Sequence, residues 1–207
     1  PKDQAAVAYW ISKKYRVAPE PIGALVEEAY QIGEQYKIDP TLLLAVMAIE
    51  SRFNPFAQSS VGAQGLMQVM TRVHTEKYDN FGGNHAAFDP ISNLRVGASI
   101  LREYMQITGS VEGALKYYVG AANHGNDGGY VAKVLAEHSR MRQVAGRSTP
   151  ETTVRPGLVA KRQITSIKME EGEAAAEQKA AETERPASVA VNRTQDEASQ
   201  VVASSNL

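Results

Sequence analysis

Asp39-Pro40-Thr41-Leu42-Leu43-Leu44-Ala45-Val46-Met47-Ala48-Ile49-Glu50 is the stretch on which the reading of this chain turns. Asp before Pro is a strong helix start. The carboxylate caps the unpaired first-turn amides, and Pro sits where it needs no amide of its own. The apolar run over residues 42–49 is the longest in the chain, far short of the roughly 20 residues of a membrane-spanning helix. Asn54-Pro55 cannot continue the helix, so it should end near Ser51 or Arg52. Leu43, Met47 and Glu50 stand at i, i+4 and i+7 and share one face, which puts Glu50 at the end of an apolar stripe. Desolvation there disfavours a charged carboxyl, the condition under which a carboxylic acid serves as general acid on a leaving oxygen. The same spacing also fits a solvated Glu in the last turn, or one paired with Arg52. Periodicity leaves both readings open.

Working outward, helical patterns fill residues 1–145. Asp3 is placed to cap a helix carrying Val7, Trp10 and Ile11. Glu20-Pro21 opens a second, with Leu25, Val26, Ala29 and Ile32 near helical spacing and a weak point at Gly33. Asp89-Pro90 announces another, with Leu94, Ala98, Leu101 and Met105 on one face. Two more follow over about 111–121 and 130–142. The interval 56–88, with Gly62, Gly65, Gly82 and Gly83, reads as loop, and nothing resembles a strand-turn-strand array. The fold class is all-α.

Composition changes near Gly146. The nine Tyr, four Phe and one Trp all lie before it, while residues 146–207 carry eight basic and nine acidic side chains with Pro150, Pro156 and Pro186. Too little apolar surface is present there to offset ordering entropy, so this part is expected to be a flexible tail. A transient helix over 170–182 or an extended segment over 154–167 is the most it should form. With 22 basic and 23 acidic residues in all, the net balance gives no reason to expect nucleic acid as a partner. The absence of cysteine excludes disulfides, a thiolate zinc site and a cysteine nucleophile. A cleaved leader is compatible with the start at Pro1, but no signal peptide is visible.

The residues after Glu50 narrow the alternatives. The chain continues Ser51-Arg52-Phe53-Asn54-Pro55-Phe56-Ala57, then Ser59, Gly62-Ala63 and Gly65-Leu66-Met67-Gln68. This string resembles the catalytic core of the soluble lytic transglycosylases, bacterial enzymes that cleave the glycan strand of peptidoglycan. Asn93-Leu94-Arg95-Val96-Gly97-Ala98 looks like the family's Asn-Ile-x-x-Gly helix beside the groove. Ala114-Leu115-Lys116-Tyr117-Tyr118-Val119-Gly120-Ala121 is similar to its Ala-Leu-x-Ala-Tyr-Asn-Ala-Gly, with Val119 in place of Asn and Gly120-Ala121 in place of Ala-Gly. The likeness covers about residues 21–141. It implies a lysozyme-like catalytic domain over 21–145, an N-terminal helical extension over 1–20 and the tail over 146–207.

The resemblance assigns the catalytic acid/base to Glu50, with Ser51 helping to orient it. Substrate contacts are implied at Ser59, Gly65, Met67, Gln68 and Tyr118. Gly65 would let backbone approach a sugar, Met67 would give an adaptable apolar wall, and Gln68 would offer amide hydrogen bonds to N-acetyl and hydroxyl groups. Met67 has core packing as its alternative. The Tyr118 hydroxyl is expected to hydrogen-bond the catalytic carboxyl, and Asn123 to stand in for the missing amide at Val119. The implied reaction cleaves the β-1,4 bond between N-acetylmuramic acid and N-acetylglucosamine and leaves a 1,6-anhydromuramic acid end. The rival readings are a goose-type lysozyme hydrolase, and a wall-binding or secretion-accessory protein on the same fold.

No cofactor is implied, and no metal. His74, His85, His124 and His138 do not pair at ligand spacing. The loop His124-Gly125-Asn126-Asp127-Gly128-Gly129 lacks the alternating acids and closing Glu of a calcium loop, and is read as a turn rimming the groove. Lys13, Lys14 and Arg16 read as a solvated basic face. The expected partner is the peptidoglycan glycan strand, met by a monomer in the periplasm or at the cell envelope, with the tail available to envelope or secretion-system partners.

Overall fold

In a computed structural model of the chain, which describes residues 1–147 other than 124, the Asp39-Pro40 signal starts helix α3 (Pro40–Glu50) where expected. Asp39 Oδ1 accepts from the Thr41 amide at 3.0 Å and from its hydroxyl at 2.7 Å. Every residue from Pro40 to Ala48 is buried. A helix apolar on all sides can be accommodated only inside a core. It packs chiefly against α7 (Tyr130–Val144) and α2 (Pro19–Tyr36). Helix α1 (Lys2–Tyr15) lies on α2 and α7 and adds Val7 and Ile11, both fully buried, to the same core.

Helix α5 (Pro90–Thr108) is capped by Asp89, whose carboxylate accepts from the Ser92 amide at 2.8 Å. It pairs with α6 (Val111–Val119), which Ser110 caps through the Gly113 amide. Between α3 and α5 lie a two-strand antiparallel hairpin, β1 (Ala63–Gln64) with β2 (Val69–Met70), a short helix α4 (Thr75–Tyr78), and two 3-10 turns at Asp79–Phe81 and Asn84–Phe88. The all-α class stands.

Several local expectations need correcting. Helix α1 begins at Lys2 with Pro1 at the cap position, so Asp3 lies inside the first turn, where its charge suits the positive end of the helix. Helix α2 starts at Pro19, ahead of Glu20-Pro21, and runs through Gly33 to Tyr36. Gly33 is needed for space, since a Cβ there would stand 2.7 Å from Ile38 O where the chain turns back into α3. The hairpin escaped the sequence reading because two-residue strands are too short to show a period of two. Helix α6 stops at Val119 rather than near 121, because Gly120 turns left-handed at φ 93. Helix α7 runs two residues past 142. The expected tail, apart from Gly146 and Arg147, falls outside the described residues.

The Lys13, Lys14 and Arg16 patch is also not simply solvated. Lys14 Nζ reaches Glu137 Oε1 at 2.6 Å, and Glu137 is only 3% exposed. Tyr15 Oη donates to the same carboxylate and Arg140 pairs with it at 2.8 Å, so one buried acid on α7 ties down α1. A second knot centres on Asp39, which meets Arg142 at 2.9 Å, His138 at 3.5 Å and Arg147 at 3.7 Å. Burial opposes both charges. Hydrogen bonds from Lys14, Tyr15 and Arg140 nonetheless hold Glu137 below its ordinary value, and the His138 imidazole at 3.5 Å together with the hydrogen bonds from Thr41 holds Asp39 well below its own.

A depressed folded-state pKa means stability that is fully present above the unfolded value and lost as pH falls through the folded one. The ordinary values are 3.8 for Asp39 and 4.5 for Glu137, so the loss should begin on acidification through that range. Asp39→Asn keeps a capping oxygen but loses the ion pairs. It should cost about 1–3 kcal/mol at neutral pH. Its melting temperature should draw closer to that of the wild type as the pH drops below 3.8. Parallel melting curves across the whole range would refute the assignment.

Candidate functional site

Glu50 closes α3 and is half-buried. Tyr130, the first residue of α7, donates its hydroxyl to Glu50 Oε1 at 2.8 Å. Burial and the Glu50 charge both push the Tyr130 phenol well up, so it remains a hydrogen-bond donor throughout the neutral range. Asp127 sets the approach of this tyrosine. One carboxylate oxygen accepts from Gly129 N at 2.9 Å and the other from Val131 N at 3.0 Å, fixing the start of α7 around Tyr130. Sequence reasoning saw Tyr130 only as a helix start. It gave no sign that an aromatic eighty positions from Glu50 would touch it.

Tyr118, expected on the carboxyl, donates its hydroxyl to Met67 O at 2.8 Å and is 5% exposed. It anchors the backbone of the Gly-Leu-Met-Gln segment, and the neighbouring Glu50 charge adds to burial in raising its phenol. Met67 has no exposed surface and its thioether lies where a Cβ at Gly97 would collide at 2.5 Å. It is therefore a packing residue under the loop rather than a groove wall. Gln68 is also largely buried. Its backbone is left-handed at φ 49, and its amide nitrogen turns inward to Ala57 O at 3.0 Å and Gly65 O at 2.9 Å. Ser59 is half-buried and its Oγ accepts from Ala63 N at 3.0 Å.

Gly65 occupies the tightest point. At φ 77, a Cβ there would meet Ala87 O at 2.1 Å and Asn93 Nδ2 at 2.4 Å. Asn93, fully buried on α5, accepts from Met67 N at 2.7 Å and donates to Gln64 O at 3.0 Å and Tyr78 Oη at 3.1 Å. Two of the amide's hydrogen bonds thus hold the loop, and the third ties it to Tyr78 on α4. Beside Gln68, Tyr104, Tyr117 and Tyr118 form an aromatic group with centroids 5.6 and 6.4 Å apart from Tyr104. Its cavity, about 20 Å³, holds no more than a water-sized group. The tyrosine group was not recognised in the sequence, where Tyr104 belonged to no motif.

The turn after Glu50 is strained. Arg52 at φ 54 and Phe53 at φ 65 are consecutive left-handed residues, neither of them glycine. Such conformations cost about 1–3 kcal/mol each and persist only where the surroundings over-determine them. Of the other carboxylates near the motif, Asp127 and Asp89 are occupied as caps. Glu76 lies on α4 4.0 Å from Lys77 Nζ, and Asp79 begins the following 3-10 turn. Asn123 is exposed in the turn before α7. Among the described residues no three His, Asp or Glu side chains gather as a metal ligand set, and no helix is long and apolar enough to cross a membrane.

Comparison with known proteins bears on this arrangement. The "Transglycosylase" of Enterobacteria phage PRD1 is 36% identical over 128 residues, covering 60% of this chain and 45% of its own length. A "Membrane-bound lytic murein transglycosylase C" of Photorhabdus laumondii is 29% identical over 154 residues, covering 66% of this chain and 43% of its own. The chain therefore spans less than half the length of these curated relatives. A solved structure of an inactive mutant of the lytic transglycosylase Slt from Pseudomonas aeruginosa shows a TM-score of 0.49 at 21% identity, over 60% of this chain and 25% of that one. The family model of the transglycosylase SLT domain matches residues 28–139, which takes in Glu50, the Gly65 loop, Asn93, Tyr118 and Tyr130. More than half of the chain is matched, and the chain belongs to the transglycosylase SLT domain family.

Proposed function

We propose that this chain is a peptidoglycan lytic transglycosylase in which Glu50 is both acid and base. The observation that carries the reading is the Glu50 carboxyl, presented at the end of a buried helix and held by the Tyr130 hydroxyl at 2.8 Å, directly before the family's loop. Glu50 gives its proton to the glycosidic oxygen as the bond to C1 of N-acetylmuramic acid breaks. The substrate's own N-acetyl oxygen covers the positive C1, an intramolecular arrangement of high effective concentration. The Glu50 carboxylate then takes the proton of the C6 hydroxyl, whose oxygen closes on C1 to form the 1,6-anhydro ring. Glu50 ends as it began, and water is not consumed.

In this reading Ser59 and the backbone of the Gly65–Gln68 segment line the glycan groove. Gln68 and Tyr118 contribute shape and anchoring, with Met67 beneath them. The enzyme works as a monomer at the cell envelope, where its substrate lies, without metal or cofactor. A hydrolase would normally need a second carboxylate roughly 5–9.5 Å from the acid. With Asp89 and Asp127 serving as caps, Glu76 and Asp79 are the alternatives nearest the motif. Mass spectrometry of digested sacculi decides between the two. The expected fragments end in anhydromuramic acid, are lighter by one water than lysozyme products, and resist borohydride reduction. Predominantly reducing ends would overturn the transglycosylase reading and direct attention to Glu76 and Asp79.

A further inference from the structure

Helix α1 lies wholly outside the matched span of 28–139, yet it reaches the strained turn that follows Glu50. The Tyr15 ring packs edge-on against Phe53 with centroids 5.1 Å apart, and the Arg52 guanidinium lies 6.0 Å from the same ring's centroid. These are the two consecutive left-handed residues. Tyr15 Oη donates to Glu137, which Lys14 and Arg140 also engage. Glu137 sits on α7, the helix whose first residue holds the Glu50 carboxyl. One side chain therefore joins the turn leaving the catalytic helix to the helix that brings in Tyr130. Lys14, over the Trp10 ring at 4.5 Å, braces the same corner.

From this geometry we infer that Tyr15 is a positioning residue for the reaction: its ring holds the Arg52-Phe53 turn in its left-handed form and its hydroxyl fixes that ring to α7, so that Glu50 and Tyr130 stay in register. The inference rests on the reading of Glu50 as acid/base. A general acid displaced by a fraction of an ångström loses transition-state alignment more than ground-state binding, so the effect belongs in kcat rather than KM. Glycine adopts positive φ at no steric cost. A glycine at position 52 should therefore replace part of what the Tyr15 ring supplies.

The test uses the full chain and soluble glycan strands, at a temperature well below melting. Tyr15→Leu should lower kcat roughly ten- to a hundredfold with KM within about twofold. Tyr15→Phe, which keeps the ring but loses its tie to Glu137, should fall between that variant and the wild type, roughly three- to tenfold below the latter. Adding Arg52→Gly to Tyr15→Leu should restore at least about threefold of the lost kcat. A purely structural tyrosine would instead lower the melting temperature of Tyr15→Leu while leaving kcat intact and the glycine without effect, and that result overturns the inference. If Tyr15→Leu does not fold, hydrogen exchange on the wild type decides. The Asn54 amide, bonded to Ser51 O at 3.0 Å, should be as protected as the Glu137 segment, and free exchange refutes the clamp. Glu50→Gln runs alongside. A wild type that releases no fragments overturns the inference together with the reading beneath it. An active wild type, an inactive Glu50→Gln and a fully active Tyr15→Leu overturn the inference alone.

Discussion

Glu50→Gln is expected to give a folded protein that still binds glycan but scarcely cleaves it. The side chain ends a helix whose residues from Pro40 to Ala48 are buried, so an isosteric change at its exposed end leaves the core untouched. A glutamine oxygen can still accept the Tyr130 hydroxyl that now lies 2.8 Å from Glu50 Oε1, which preserves the local geometry. On the proposed mechanism, what is lost is the proton donated to the leaving oxygen and the base that later removes the C6 proton. One such role is typically worth about 10²–10⁴-fold, and both are lost together. Release of soluble fragments from purified sacculi measures the effect, with circular dichroism to verify the fold. Activity within about tenfold of the wild type would remove Glu50 from the mechanism.

Gly65→Ala should be the most damaging single methyl in the loop. The added Cβ would stand 2.1 Å from Ala87 O and 2.4 Å from Asn93 Nδ2, on a backbone already at φ 77. Neither neighbour yields easily. Ala87 O is backbone, and the Asn93 amide is committed to Met67 N, Gln64 O and Tyr78 Oη. Strain and overpacking together should cost about 3 kcal/mol or more, a fall of roughly 6–12 °C in melting temperature for a body of this size. Gly62→Ala is the natural control. It too has positive φ, at 94, but a Cβ there would meet nothing within 4 Å, so it carries backbone strain alone. Equal losses in the two variants would show that the close approach to Asn93 is not what the glycine is for.

What could be read from the sequence and what could not divide along the range of the forces involved. Asp39-Pro40 and Asp89-Pro90 identified two helix starts to the residue, because capping is settled within one turn of chain. The family was legible through the string of residue types that runs from Glu50 to Gln68. Gly33 was misread as a weak point because its cost is local while its purpose, room for Ile38 O, depends on the next turn of the chain. Lys14 looked solvated because its partner Glu137 is 123 positions away. Tyr130 was read only as a helix start because Glu50, the carboxyl it holds, is 80 positions away. Met67 sits among polar neighbours in sequence but under the loop in space. Apart from Gly33, each of these errors concerns a pairing between positions distant in the chain, which a linear pattern does not encode.

The burial of α3 has a consequence for how activity is lost. Glu50 is carried by the element least able to open alone, since exposing its helix would mean parting α2 and α7 at once. Local opening free energies rise toward the global value in such segments. The carboxyl therefore has no soft intermediate in which the rest of the protein stays folded while the site comes apart. Inactivation by heat or denaturant should therefore coincide with global unfolding.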